Sequence, residues 1–221
     1  MKNNFERFQS IMETFFEYNG VENCIIPISL HDASQNDADK NNITFFYNAK
    51  ADLEVIDMDE IAKKQYKTIN VLEEFENTKD DIVNTVDGFV INKENQWFLI
   101  EFKDTKIEGG KSQLKNNIIK KAYGNWYMLM DILLNTANAK DIYPDFDYSN
   151  PVKFAKKNVI YILVCNSRSN PKVVTQIRNN RINKRKYTPI FMQRLKEYLF
   201  KDAYVYTELD LEREFVKKFE Y

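Results

Sequence analysis

The sequence predicts an α/β domain in which helices pack on a mixed β-sheet. Three observations predict it. Apolar residues recur at helical spacing in polar-faced segments, as in Phe5, Phe8, Ile11, Met12, Phe15 and Phe16. Two strand-like runs, 85–91 (TVDGFVI) and 97–103 (WFLIEFK), flank a short polar turn at 92–96 and should form a hairpin. A further run, 159–165 (VIYILVC), lacks alternation, the pattern of a strand buried on both faces.

In chain order, the first expected helix covers 4–18 and ends at Asn19-Gly20. A strand is expected over 24–30, then the polar loop HDASQNDADKNN, then a second strand over 43–47. A helix is expected from about 59 to 76, with Ile61, Ala62, Tyr66, Ile69, Leu72 and Phe75 on one side. After the hairpin and a loop at 104–111, Ser112 suits the N-cap of a long helix. Leu114, Ile118, Ala122, Trp126, Leu129 and Leu133 mark its buried side, and Tyr127 is read as core beside Trp126. A polar linker leads to the 159–165 strand. A helix over 188–200, a strand over 203–207 and a short helix over 209–219 complete the order. Helix, hairpin, helix, strand, helix, strand is a layered α/β pattern. Without repeat or linker, 1–221 reads as one domain, its core at about 59–207 and an N-terminal extension at 1–58.

Charge is distributed unevenly. The net charge is −1, yet residues 151–196 hold twelve Lys or Arg and no acid, whereas 51–104 hold fourteen acids against six bases. Such asymmetry can bring a polyanion to an acidic, metal-loaded site. The competing reading is a solvated charged surface. Two cysteines, Cys24 and Cys165, make no disulfide framework, and Cys165 reads as a buried thiol. One histidine, His31, argues against multi-histidine zinc sites, HNH-type nucleases and Cys-His proteases. It lies in the polar stretch and reads as a surface residue. The N-terminus shows no apolar signal region and no stretch long enough to span a bilayer, so a reduced, cytoplasmic protein is expected.

The hairpin carries the chemistry. By period two, Glu101 and Lys103 share one face while Ile100 and Phe102 share the other. Pairing across the turn brings Asp87 towards Glu101. Two carboxylates that close repel and are costly to desolvate. A hard divalent cation relieves both, keeping water and phosphate oxygens as its other ligands.

Asp87, thirteen intervening residues and then Glu101-Phe102-Lys103 resembles the D…(D/E)xK signature of the PD-(D/E)xK, or restriction-endonuclease-like, nucleases. The likeness covers about 59–166, with a weaker continuation to 207. It implies a restriction-endonuclease-like core and a metal-dependent nuclease, a phosphodiesterase using Mg²⁺ or Mn²⁺. It further implies that Asp87, Glu101 and the Phe102 carbonyl bind the metal and that Lys103 is catalytic. The family often adds a glutamate from the preceding helix, for which Glu73, Glu74 and Glu76 stand unranked. Some members add a glutamine in the following helix, where Gln113 stands. The usual tyrosine four residues later is replaced by Asn117, and Val86 stands in place of the proline. DNA is the expected substrate, with RNA left open, and double-strand cutting by this fold implies a homodimer.

Other readings compete. A surface hairpin with a Glu101–Lys103 ion pair is the bland one. Gly110-Lys111-Ser112 opens a helix as a P-loop would, but Thr105 stands where the first glycine belongs. Arg178, Arg181, Lys184, Arg185, Lys186 and Tyr187 form the candidate nucleic-acid-binding segment, through phosphates and one stacking ring. The alternatives to an enzyme are a non-catalytic nucleic-acid-binding module or a protein-interaction module on the same fold.

Overall fold

The computed structural model describes residues 2–22, 25–36, 44–47, 53–70, 83–107 and 112–219. In order these are α1 (Asn4–Tyr18), β1 (Ile28–Ser29), α2 (Leu30–Ala33), β2 (Gln35–Asn36), β3 (Thr44–Phe45) and β4 (Glu54–Asp57). Next, α3 (Met58–Ile61), a π-helical turn (Ala62–Tyr66) and α4 (Lys67–Asn70) follow one another directly. The hairpin is β5 (Gly88–Ile91) and β6 (Trp97–Lys103). Helices α5 (Ser112–Asn135), α6 (Ala139–Ile142) and α7 (Pro151–Asn158) cross to β7 (Val159–Cys165). Then come α8 (Pro171–Ile182), α9 (Ile190–Arg194), a π turn (Leu195–Leu199) and β8 (Asp202–Thr207). Last are α10 (Glu208–Asp210), a π turn (Leu211–Phe215) and a 3-10 turn (Val216–Lys218).

Among the described residues, six strands form one mixed sheet in the order β1-β4-β5-β6-β7-β8. The first three pairings are antiparallel, and β6–β7 and β7–β8 are parallel. The parallel pairs follow from helical crossovers, since a parallel neighbour cannot be reached by a tight turn. The hairpin turn is locally specified. Asn92 Oδ1 accepts the N–H groups of Glu94 (3.1 Å) and Gln96 (2.8 Å). Asn95 takes a positive φ of 58°, which asparagine tolerates better than most residues. All seven residues of β7 are buried, as its unbroken apolar run predicts.

The sheet separates two apolar layers. Leu99, Tyr161 and Leu163 pack with α1, α5 and α7 on one face. Ile100, Phe102, Ile162 and Val164 pack with Leu211 and Phe215 of the C-terminal segment on the other. α1 is held by a capping box. Asn3 Oδ1 accepts the Glu6 N–H, and Glu6 returns the bond to the Asn3 N–H, both at 2.9 Å. Its Phe8 meets the ring edges of Phe89 (5.1 Å) and Trp97 (4.9 Å).

Several expectations are corrected. Of the strand expected over 24–30, Cys24 lies outside the described residues and the rest holds only Ile28–Ser29, because Ser29 caps α2 through the Asp32 N–H. Of the strand expected over 43–47, Ile43 lies outside the described residues and the rest holds Thr44–Phe45, paired with Gln35–Asn36 inside the supposed loop. Strand β4 was not expected, since its acidic ends disguise a short run with Val55 and Ile56 buried. The helix expected from 59 starts at Met58 with Asp57 as its cap, and its expected 71–76 portion lies outside the described residues. The supposed linker contains α7, and α8 follows β7. Both begin with Asn-Pro, in which proline suits the first helical turn. Tyr127 is 61% exposed, unlike Trp126. Among the described residues, no helix is long and apolar enough to cross a membrane.

Candidate active site

β5 runs antiparallel to β4 and β6, so the end of β4, the entry to β5 and the end of β6 lie on one sheet edge. Asp57 pairs with Gly88 and Gly88 with Ile100, so the edge collects Asp57, Asp87, Glu101, Lys103 and Asp104. β5 begins one residue after Asp87, later than the sequence suggests. Asp87 is nonetheless held firmly. Its N–H donates to the Ile100 carbonyl (3.1 Å), and its Oδ2 accepts the Phe102 N–H (2.6 Å). The preceding Val86 N–H donates to Asn125 Oδ1 of α5 (3.4 Å).

Glu101 is fully buried, and its side chain lies on the α5 side of the sheet. Phe102 points the other way, its ring 5.7 Å from that of Phe46. Two ammonium groups reach Glu101. Lys121 Nζ, from the first half of α5, lies 3.0 Å from Oε2 and 3.4 Å from Asp87 Oδ1. Lys103 forms an ion pair with Oε1, yet that oxygen accepts no well-directed hydrogen bond. Burial, reinforced by the Asp87 charge, pushes the Glu101 carboxyl up to about 7, and the two lysines only partly oppose this. Burial pulls Lys121 down, but Glu101 and Asp87 together leave its ammonium above the ordinary lysine range.

The raised Glu101 has a stability consequence. Its folded value of about 7 lies above the ordinary 4.5, so the folded state binds this proton more tightly than the unfolded chain does. The contribution is fully present below the unfolded value and is lost as pH rises through the folded one. Melting temperature should therefore fall more steeply from about pH 5 to about pH 8 in the wild type than in Glu101→Gln. Equal slopes would show that Glu101 is charged across the whole window.

The edge opens into a cleft of about 480 Å³ lined by Asp57, Asp59, Glu60, Asp87, Lys103 and Asp104, among others. Asp57 is raised by burial and by the charges of Asp59, Glu60 and Asp87, although the Glu60 N–H opposes this. Lys63 and Lys64, on the π-helical turn, also line the cleft and pair with Asp59 and Glu60. Among the described residues no group of three or more His, Cys, Asp or Glu is arranged to hold a metal ion. The donor chemistry still suits a hard cation. Two carboxylates share one sheet edge, and the buried Glu101 Oε1 is met by the Lys103 ammonium without a well-directed hydrogen bond. A cation there would take two side-chain oxygens and draw further donors from backbone, water or substrate, as Mg²⁺ commonly does.

The structure brings Asp87, Glu101, Phe102 and Lys103 together. Glu73, Glu74 and Glu76 lie outside the described residues. Gln113 is exposed on the first turn of α5, which starts at Ser112, and it does not line the cleft. Asp57, Asp59, Glu60 and Lys121 were missed. A lysine between buried Ile118, Ala122 and Asn125 was the available signal for the last of them. His31 serves local structure: Nδ1 lies 2.6 Å from the Tyr47 carbonyl, and its ring stacks on Phe45.

The basic segment lies apart from this cleft. Arg181 pairs with Asp210 and with Glu214 (2.6 Å for the latter), and Lys186 pairs with Glu214 while lying 4.7 Å from the Tyr206 ring centre. Tyr187 is half-buried against the core rather than presented for stacking. Arg178, Lys184 and Arg185 are exposed. None of the six lines the acidic cleft. Comparison of the chain with protein-family models, curated proteins and solved structures finds no match.

Proposed function

We propose that the protein is a divalent-metal-dependent nuclease of the PD-(D/E)xK type, with the mixed sheet read as a restriction-endonuclease-like core. The observation that carries this reading is the convergence of Asp87, Glu101 and Lys103 at one sheet edge beside an acidic cleft. Asp87 and Glu101 would hold Mg²⁺ or Mn²⁺, with the Phe102 carbonyl as the further donor that the resemblance implies. When bound, the cation supplies Lewis acidity, acidifying water and stabilising charge on phosphoryl oxygens.

The remaining work belongs to the chain. The Phe102 N–H fixes one Asp87 oxygen, which orients the other towards Glu101 and Lys121. Lys103 is about a quarter exposed at the cleft and presents positive charge where a phosphoryl group would gain negative charge. Lys63 and Lys64 line the cleft wall, but each is paired with an acid there, Asp59 and Glu60, so their charge is largely balanced. Exposed Arg178, Lys184 and Arg185 extend nucleic-acid contact; Arg181 and Lys186, already paired with acids, contribute less.

The test is incubation of the purified protein with supercoiled plasmid, linear duplex and single-stranded RNA in Mn²⁺, Mg²⁺ or chelator. Metal-dependent scission of any of these supports the reading and identifies the substrate. A second reading, a non-catalytic nucleic-acid-binding module, is favoured by one observation: two lysines already balance the carboxylate pair. Salt-dependent retention of DNA with no scission in any metal would select it.

A further inference from the structure

We propose that Lys121 is the resident counter-ion of the Asp87–Glu101 pair and that a divalent cation binds by displacing it. This rests on the metal-site reading above and adds a role for a residue outside the D…ExK pattern. The geometry is specific. Asp87 uses Oδ2 for the Phe102 N–H at 2.6 Å, which leaves Oδ1 directed at Lys121. Lys121 Nζ lies 3.4 Å from that Oδ1 and 3.0 Å from Glu101 Oε2. It therefore bridges one oxygen from each carboxylate, the pair a shared cation would use. A divalent ion lies about 2.1 Å from its oxygen ligands. Ion and ammonium cannot both fill that space.

The setting explains why a lysine stands there. Glu101 is fully buried and Asp87 is mostly so, and without a cation two adjacent carboxylates would face each other in a poorly solvated site. Lys121 neutralises them from a rigid helix, anchored by buried Ile118 and Ala122 beside it. Its unbranched side chain is 19% exposed and can swing towards solvent when the carboxylates gain another partner. Asp59 lines the same cleft, and its charge already acts on Lys121, so the displaced ammonium has an acidic wall to meet. Lys103 differs: among the described residues its ion pair is with Glu101 and not with Asp87. The metal-free protein is thus held in an internally neutralised state, and metal occupancy frees a second ammonium at the cleft for substrate phosphates.

The experiment is calorimetric titration of Mn²⁺ into the full-length wild type, Lys121→Met and Lys121→Arg, with melting temperatures in chelator and in Mn²⁺. Lys121→Met is expected to bind Mn²⁺ at least about tenfold more tightly than wild type, roughly 1.4 kcal/mol. It should also melt lower in chelator and gain more from Mn²⁺. Lys121→Arg, which keeps the charge, should bind no more tightly than wild type. Should Lys121→Met not fold, Lys121→Gln serves instead, since its amide can donate to the carboxylates without carrying charge. Equal or weaker Mn²⁺ binding by the neutral variant would overturn the displacement role while leaving the metal-site reading intact. Absence of binding in every variant would overturn both. Binding in the neutral variants alone would support the displacement role in its strongest form.

Discussion

Asp87→Asn, Glu101→Gln and Lys103→Met are each expected to reduce metal-dependent scission by about 10³-fold or more, roughly 4 kcal/mol in the barrier, while the protein stays folded. The substitutions keep side-chain size closely, so they test charge rather than packing. Asp87→Asn leaves a carbonyl oxygen that can still accept the Phe102 N–H, but removes one of the two charges at the sheet edge. Glu101→Gln removes the other from a site with no exposure to water, where compensation by solvent is least available. Lys103→Met keeps the apolar stem and deletes the ammonium beside the cleft. If the carboxylates act as a unit, the Asp87→Asn/Glu101→Gln double variant should be little worse than either single one. Initial rates of plasmid nicking, with circular dichroism on each variant, measure this. Scission by Glu101→Gln within a few-fold of wild type would sink the mechanism. Multiplicative losses in the double variant would argue that the two carboxylates serve separate steps.

Much of the frame was legible because its signals are local. The hairpin needed only alternation, apolar runs and a polar turn, and β6 spans Trp97–Lys103 as read. The unbroken apolar run of β7 pointed to its place inside the sheet, where both faces are covered. What was missed depends on contacts distant in sequence. Strand β4 has only Val55 and Ile56 as buried apolar residues between two acids, and pairing with β5 is what holds it extended. Its last residue, Asp57, was missed with it. Lys121 looked like any charged residue on a helix. Its meaning comes from α5 lying over the hairpin, which no local pattern reports. Tyr127 fails differently. It stands one residue past Trp126 and so one hundred degrees round the helix, off the stripe that Ile118, Ala122 and Leu129 define. The helical period itself argued for exposure there. In the basic segment the composition was plain, but the acids that occupy Arg181 and Lys186 come from the C-terminal helical segment about thirty residues later.

Gly124→Ala is expected to destabilise the protein by on the order of 2 kcal/mol and to depress scission by about 10²-fold. Helix propensity alone predicts the opposite, since alanine in a helix interior is better than glycine by about 1 kcal/mol. Packing decides the sign. A Cβ at this position would lie 2.3 Å from the Asn84 carbonyl oxygen and 3.2 Å from Val83 Cγ1. The first neighbour is backbone, so no rotamer change relieves it. Either α5 or the chain entering β5 must move by an ångström or so, and that chain leads directly to Asp87. One residue further along α5, Asn125 receives the Val86 N–H, so the same movement strains the bond that holds this entry in place. Fold and site are therefore coupled through one close approach of helix to chain. A loss of this size should lower the melting temperature by roughly 4–8 °C for a chain of this length. Thermal denaturation in chelator isolates the packing effect from the metal. If Gly124→Ala melted at or above the wild-type temperature, α5 would not rest on the 83–86 segment as closely as described, and the position of Lys121 over the carboxylates would lose its structural basis.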